Sequence, residues 1–185
     1  MSAVRRSQTA ATAKSGHYPR LQVLDASRTY ADHPYHMSTT LSSLLESPTL
    51  DWQCILDSVI ADFNGSTGTL HRLDPADNLL KLVVQRGVPE QLMPMIAIIP
   101  IGKGIAGAAA ERLEPVELCN LQADLGGVAK EDARKTNVKG SLAVPCLHIG
   151  NLRGTLGVGL MMPHDFTEAE KARLMELARA VAEKL

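Results

Sequence analysis

Residues 99–120 read IPIGKGIAGAAAERLEPVELCN. An apolar run, MIAIIPI at 95–101, leads into Gly102-Lys103-Gly104-Ile105-Ala106-Gly107, which fits the spacing G-x-G-x-x-G, and an alanine-rich segment follows. A glycine loop between a strand and a helix is the fingerprint of a dinucleotide-binding unit. Asp124 even lies about where that unit places its ribose-binding acid. The elements on either side decide whether the fingerprint means what it suggests.

Upstream, TLDWQCILDSVIADF at 49–63 sets Trp52, Ile55, Leu56, Val59, Ile60 and Phe63 at helical spacing, with Ser47 or Pro48 marking the start and NGSTG the end. The runs TGTLHRLD at 67–74 and NLLKLVVQRG at 78–87 flank turn residues and predict a β-hairpin. MIAIIPI predicts a third strand, Gly104 to Arg112 a helix that Pro115 cannot extend, and PVEL at 115–118 a short fourth strand. Residues 119–140 form a polar excursion longer than an ordinary connector, as binding loops often are. SLAVPCLHIG at 141–150 and RGTLGVGLM at 153–161 predict a second hairpin around Gly150-Asn151, with Leu152, Leu156, Val158 and Leu160 on one face. Its glycines 154, 157 and 159 mark close approach by another backbone or by a ligand. A last helix runs through FTEAEKARLMELARAVAEKL, opened by a Thr167/Glu170 capping box, with Leu174, Leu177, Ala178 and Val181 on its apolar face.

This order excludes the dinucleotide fold. Such a fold puts its glycine loop after the first strand and alternates strand and helix, whereas here hairpins stand on both sides of the loop. Adjacent hairpins make an antiparallel sheet, and too few helices remain to cover both faces of a parallel one. Asp124 falls in the polar excursion, not at the end of a buried strand.

Composition narrows the class further. The 185 residues suit one domain, and at 45% hydrophobic but 3% aromatic its core must be aliphatic. A net charge of -1 gives no electrostatic reason to expect nucleic acid or an acidic membrane as partner. No apolar run reaches the roughly 18–20 residues that cross a bilayer. Three scattered cysteines, Cys54, Cys119 and Cys146, suggest neither a disulfide framework nor a zinc site and fit a reducing, cytoplasmic setting. Residues 1–36 have no apolar periodicity and predict a disordered tail, or a start placed upstream of Met37, with the domain spanning 37–185. His33 and His36 lie in that tail without a third ligand, so no metal is expected.

The run IPIGKGIAGAAAERLEPVEL and the closing hairpin SLAVPCLHIGNLRGTLGVGL, in this order of elements, resemble a GAF domain over about residues 49–185. The resemblance implies an α+β fold: a six-stranded antiparallel sheet with the N- and C-terminal helices on one face and a ligand pocket on the other. It also implies a stand-alone small-molecule sensor that dimerises through its terminal helices and acts through a separate signalling protein. The free-methionine sulfoxide reductases of that family carry a cysteine inside the glycine motif, where this chain has Ala106, so no enzymatic activity and no catalytic residue are expected. The family's cyclic-nucleotide pattern and its bilin-attachment cysteine are also missing, and no cofactor is expected; His71 and His148 read as ordinary strand histidines before haem ligands.

The expected site follows from these residues. Gly102 and Gly104 let the chain turn out of a strand, and Gly104, Ile105, Ala106 and Gly107 either serve only that turn and close packing of the helix on the sheet or open a helix whose first N–H groups favour an anion. Lys103 would add charge there. Cys119, Asn120, Arg134, Lys135 and Ser141 complete the expected ligand site, with Trp52, His71 and Thr136 as further wall candidates. A small polar or anionic ligand would sit between the helix start and the excursion. The alternative is a pure interaction module whose pocket is filled by its own side chains.

Overall fold

The computed structural model describes residues 39–119 and 138–185. The tail at 1–36 and the candidates Asn120, Asp124, Arg134, Lys135 and Thr136 lie outside the described residues. The elements are α1 (Thr39–Glu46), α2 (Trp52–Asp62), β1 (Thr67–Asp74), β2 (Leu79–Arg86), α3 (Met93–Ile96), β3 (Ile98–Pro100), α4 (Gly104–Arg112), β4 (Val116–Leu118), β5 (Gly140–His148), β6 (Asn151–Leu160) and α5 (Glu168–Ala182). The strands form one sheet in the order β3-β2-β1-β6-β5-β4, every pair antiparallel.

The period-two alternation of each strand divides the sheet into two unlike faces. Leu70, Leu142, Val144, Leu156 and Val158 point to one face and pack with α1, α2 and α5 in a single aliphatic core. Leu174, Leu177, Ala178 and Val181 are fully buried there, as the helical spacing predicts. Thr167 accepts from the Glu170 N–H while the Glu170 carboxylate accepts from the Thr167 N–H, so the capping box holds the start of α5. Arg173 then ties α5 to Asp62 of α2 at 2.8 Å. The other face carries α4, whose Ala108 and Ala109 lie against Ala143 and Val116.

Three local readings are corrected. The N-cap of α2 is Asp51, whose carboxylate accepts from the Cys54 N–H, and not Ser47 or Pro48. MIAIIPI is strand only from Ile98 to Pro100; its first half lies in the single helical turn α3, where Pro94 suits the first positions of a helix. Helix α1 has no counterpart in the reading above, because eight residues with one Leu41/Leu45 pair give too short a periodic signal.

The β5–β6 hairpin turns on Ile149 and Gly150, both at positive φ (50° and 74°). That conformation suits Asn-Gly and strains a β-branched residue, and Ile149 is 85% exposed, so no packing compensates. Ile149→Asn is therefore expected to stabilise the protein by about 1 kcal/mol, read as a rise of roughly 2–4 °C in the thermal midpoint.

Candidate functional site

The α4 face of the sheet is hollow. On β1 the alternation puts Thr67, Thr69 and His71 on this face, and their partners across the ladder are Gly159, Gly157 and Thr155 of β6. Gly157 and Gly159 have no side chain to fill the space above them. A Cβ at Gly157 would come within 3.3 Å of Thr69 Oγ1, whereas one at Gly159 would overlap Thr67 Oγ1 and lie 2.9 Å from Val138 Cγ1. The result is a cavity of about 410 Å³, within the usual range for small-molecule sites. Its floor is β1, β5 and β6. One wall is the start of α4, and the other is the segment that carries Val88, Leu92, Met95, Ile96 and Ile98.

Besides the hydroxyls of Thr67, Thr69 and Ser141, two polar features bear on that enclosure. The first is His71, 1% exposed, whose Nε2 lies 2.8 Å from the Ile96 carbonyl oxygen. A carbonyl has no proton to give, so Nε2 is the donor and the neutral ring presents a bare lone pair at Nδ1. That Nδ1 has no partner among the described residues, and neither has the buried hydroxyl of Thr155 directly opposite. Burial holds the His71 pKa below its ordinary value, against the opposing pull of the Ile96 hydrogen bond. The unfolded state therefore binds a proton that the folded state refuses. Stability is expected to fall as pH drops through the ordinary histidine value of about 6.5, and His71→Leu should flatten that part of the profile in a series of denaturant titrations.

The second polar feature is the start of α4. Gly102 and Gly104 stand at φ +79° and +63°, the left-handed conformation that the expected sharp turn requires. Gly107 N–H makes the first intrahelical bond, to the Lys103 carbonyl at 3.1 Å, and no side chain caps the helix. The amides of Gly104, Ile105 and Ala106 precede that bond and have no partner among the described residues.

Of the residues expected at the site, Lys103, Gly104, Ile105, Ala106, Ser141 and His71 line the cavity. Gly102 and Gly107 do not; they shape the loop, where Gly102 N–H donates to the Gly107 carbonyl and a Cβ at Gly107 would lie 2.5 Å from the Pro100 carbonyl oxygen. Cys119 is exposed beyond the end of β4, its carbonyl accepting from His164 N–H, and it is not among the lining residues. Trp52 packs in the helix-side core, on the opposite face of the sheet. Thr67, Thr69 and the wall at 88–98 are additions of the tertiary structure, while Thr155 is buried opposite His71 and is not among the lining residues.

None of the three cysteines lines the cavity. Cys146 is fully buried in the helix-side core, which pushes its thiol pKa up. The hydrogen bond to Asp51 raises that of Cys54, and the hydrogen bond to Asp165 raises that of Cys119. All three shifts oppose thiolate formation. No described helix is long and apolar enough to cross a membrane.

Comparison with known proteins agrees with this architecture. The sequence model of the GAF domain matches residues 53–185, and the chain belongs to that family. No curated protein matches the sequence significantly. Among solved structures, the chain is similar to the GAF domain of an Acinetobacter phosphoenolpyruvate-protein phosphotransferase (TM-score 0.62, 17% identity, 78% of this chain and 89% of that one). It is also similar to the free methionine-R-sulfoxide reductase of Neisseria meningitidis in complex with its substrate (0.61, 19%, 78% and 83%). A third is a domain of a putative two-component sensor histidine kinase from Sinorhizobium meliloti 1021 (0.58, 19%, 72% and 86%). At these identities the likeness is one of fold.

Proposed function

We propose that this chain is a small-molecule-binding regulatory module, a sensor that performs no chemistry on its ligand and passes occupancy to a signalling partner. The observation that carries this reading is the 410 Å³ cavity on the α4 face of the sheet, with the uncapped start of α4 in its wall. A pocket filled by its own side chains, as the interaction-module reading requires, would not need Gly157, above which a side chain has room. The placement of the thiols argues against reductase chemistry, since no nucleophilic sulfur faces the cavity. Sensing fits a family whose similar structures include a domain from a putative sensor histidine kinase.

Thermal unfolding of the full chain against nitrate, phosphate, small carboxylates, hydroxy acids, amino acids and cyclic nucleotides tests it. A true ligand at 100-fold over its Kd adds about 2.7 kcal/mol, a shift of several degrees. Gly157→Val, which fills the floor, should abolish that shift. A panel without any shift would sink the sensory reading.

A further inference from the structure

Given that the cavity is a ligand site, as proposed above, we infer that it recognises its ligand by an uncharged aliphatic group: a short hydrocarbon chain fills the cavity, and any charge on the molecule stays at the solvent side with Lys103. The lining supplies the reason. Val88, Leu92, Met95, Ile96, Ile105 and Val138 bring aliphatic walls from three segments of the chain. Among the described residues no Asp or Glu lines the cavity, and Lys103, its one formal charge, is an exposed residue. Burial keeps His71 neutral at neutral pH. A charge carried inward would lose its hydration and find no partner, whereas a hydrocarbon chain gains by leaving water.

The rim points the same way. Met95 and Ile98 line the cavity and are yet 38% and 53% exposed, so the aliphatic lining continues to the protein surface. A chain that enters past them buries apolar surface on both partners, and the gain grows with the area covered. The polar exceptions are the hydroxyls of Thr67, Thr69 and Ser141 and the open amides of α4, none of which carries a formal charge. An aliphatic group replaces the small polar or anionic ligand expected from the sequence, where the glycine spacing is visible and the walls at 88–98 are not.

A homologous series tests the inference on the full chain: acetate, butanoate, hexanoate and octanoate, with hexan-1-ol as the uncharged control. Affinity should rise about three- to fourfold per methylene until the chain outgrows the cavity, so hexanoate should bind about 100-fold more tightly than acetate. Hexan-1-ol should bind within about fivefold of hexanoate, because a charge at the exposed rim adds little. The backbone 15N resonances of Gly157 and Ala143 should move on binding, which places the chain in the cavity. In titration calorimetry the heat-capacity change should grow more negative with each methylene. Met95→Gln with Ile98→Thr, at two exposed positions, should weaken hexanoate about 3–10-fold and leave acetate unchanged. Lys103→Ala should leave the gain per methylene as it is.

Affinity that stays flat along the series, or is greatest for acetate, nitrate or phosphate, would overturn the aliphatic reading yet leave the cavity a ligand site. Loss of all binding in Lys103→Ala would do the same, since the charge would then carry the affinity. Chain-dependent binding that moves no cavity resonance would put the chain elsewhere on the protein, and the inference would fail. If the whole series fails while another member of the broader panel shifts the midpoint, this inference falls and the sensory reading stands. If nothing shifts it, both fall.

Discussion

Gly154→Ala is expected to destabilise the protein by roughly 3 kcal/mol or more, although it adds one methyl group. A Cβ at this position would overlap the carbonyl oxygen of His71 and would also lie 3.0 Å from that residue's carbonyl carbon. Both obstacles are backbone, at the rung where β1 and β6 pair Arg72 with Gly154, so relief requires the central strands to separate. At roughly 2–4 °C per kcal/mol for a chain of this size, the midpoint should drop by about 6–12 °C. Gly157→Ala is the control. Its Cβ would meet only the Thr69 hydroxyl at 3.3 Å and ordinary contacts beyond, and the cavity lies above it. That variant should stay within about 1 kcal/mol of the parent. Equal losses from the two substitutions would show that β1–β6 spacing is not what Gly154 protects.

The second large effect is expected outside the stretch that the family model matches. Leu41, 1% exposed, and Leu45, 5% exposed, belong to the same aliphatic core as Val59, Phe63 and Leu174, although the match begins at residue 53. Leu41→Ala should cost about 2–5 kcal/mol, the usual loss for a leucine removed from a packed interior. Leu44→Ala, at a half-buried position of the same helix, should cost less. Chemical denaturation with an unchanged m-value would place α1 within the cooperative unit. A midpoint unaffected by Leu41→Ala would mean that α1 is an appendage, and that the domain proper begins at α2.

Much of the fold was legible in local pattern. Alternation in TGTLHRLD places strand β1 at the predicted residues, and the Thr167/Glu170 box with its Leu174-to-Val181 face specifies α5. Those signals are reliable because each is repeated within a few residues and reports a single physical fact, which side of an element meets the core. MIAIIPI misled because an apolar run without alternation does not separate a strand from a helical turn. The wall of the cavity at 88–98 was missed for the same reason.

The site divides along the same line. The start of α4 could be read from the glycine spacing, since positive φ at Gly102 and Gly104 is a local demand of the chain. His71 was one wall candidate among several, because nothing nearby in sequence says what a strand histidine faces. By itself the sequence determined the elements other than α1 and α3, their order, the antiparallel class and the open helix start, all set by backbone preference and short-range periodicity. Only the tertiary structure decided that Thr67, Thr69 and His71 lie opposite Gly159, Gly157 and Thr155, with Ile96 taking the Nε2 proton. Pairing of β1 with β6 joins residues more than eighty positions apart. The hollow, the tautomer and the unmatched lone pair exist only once that rung is formed, because each depends on which atoms face one another across the sheet.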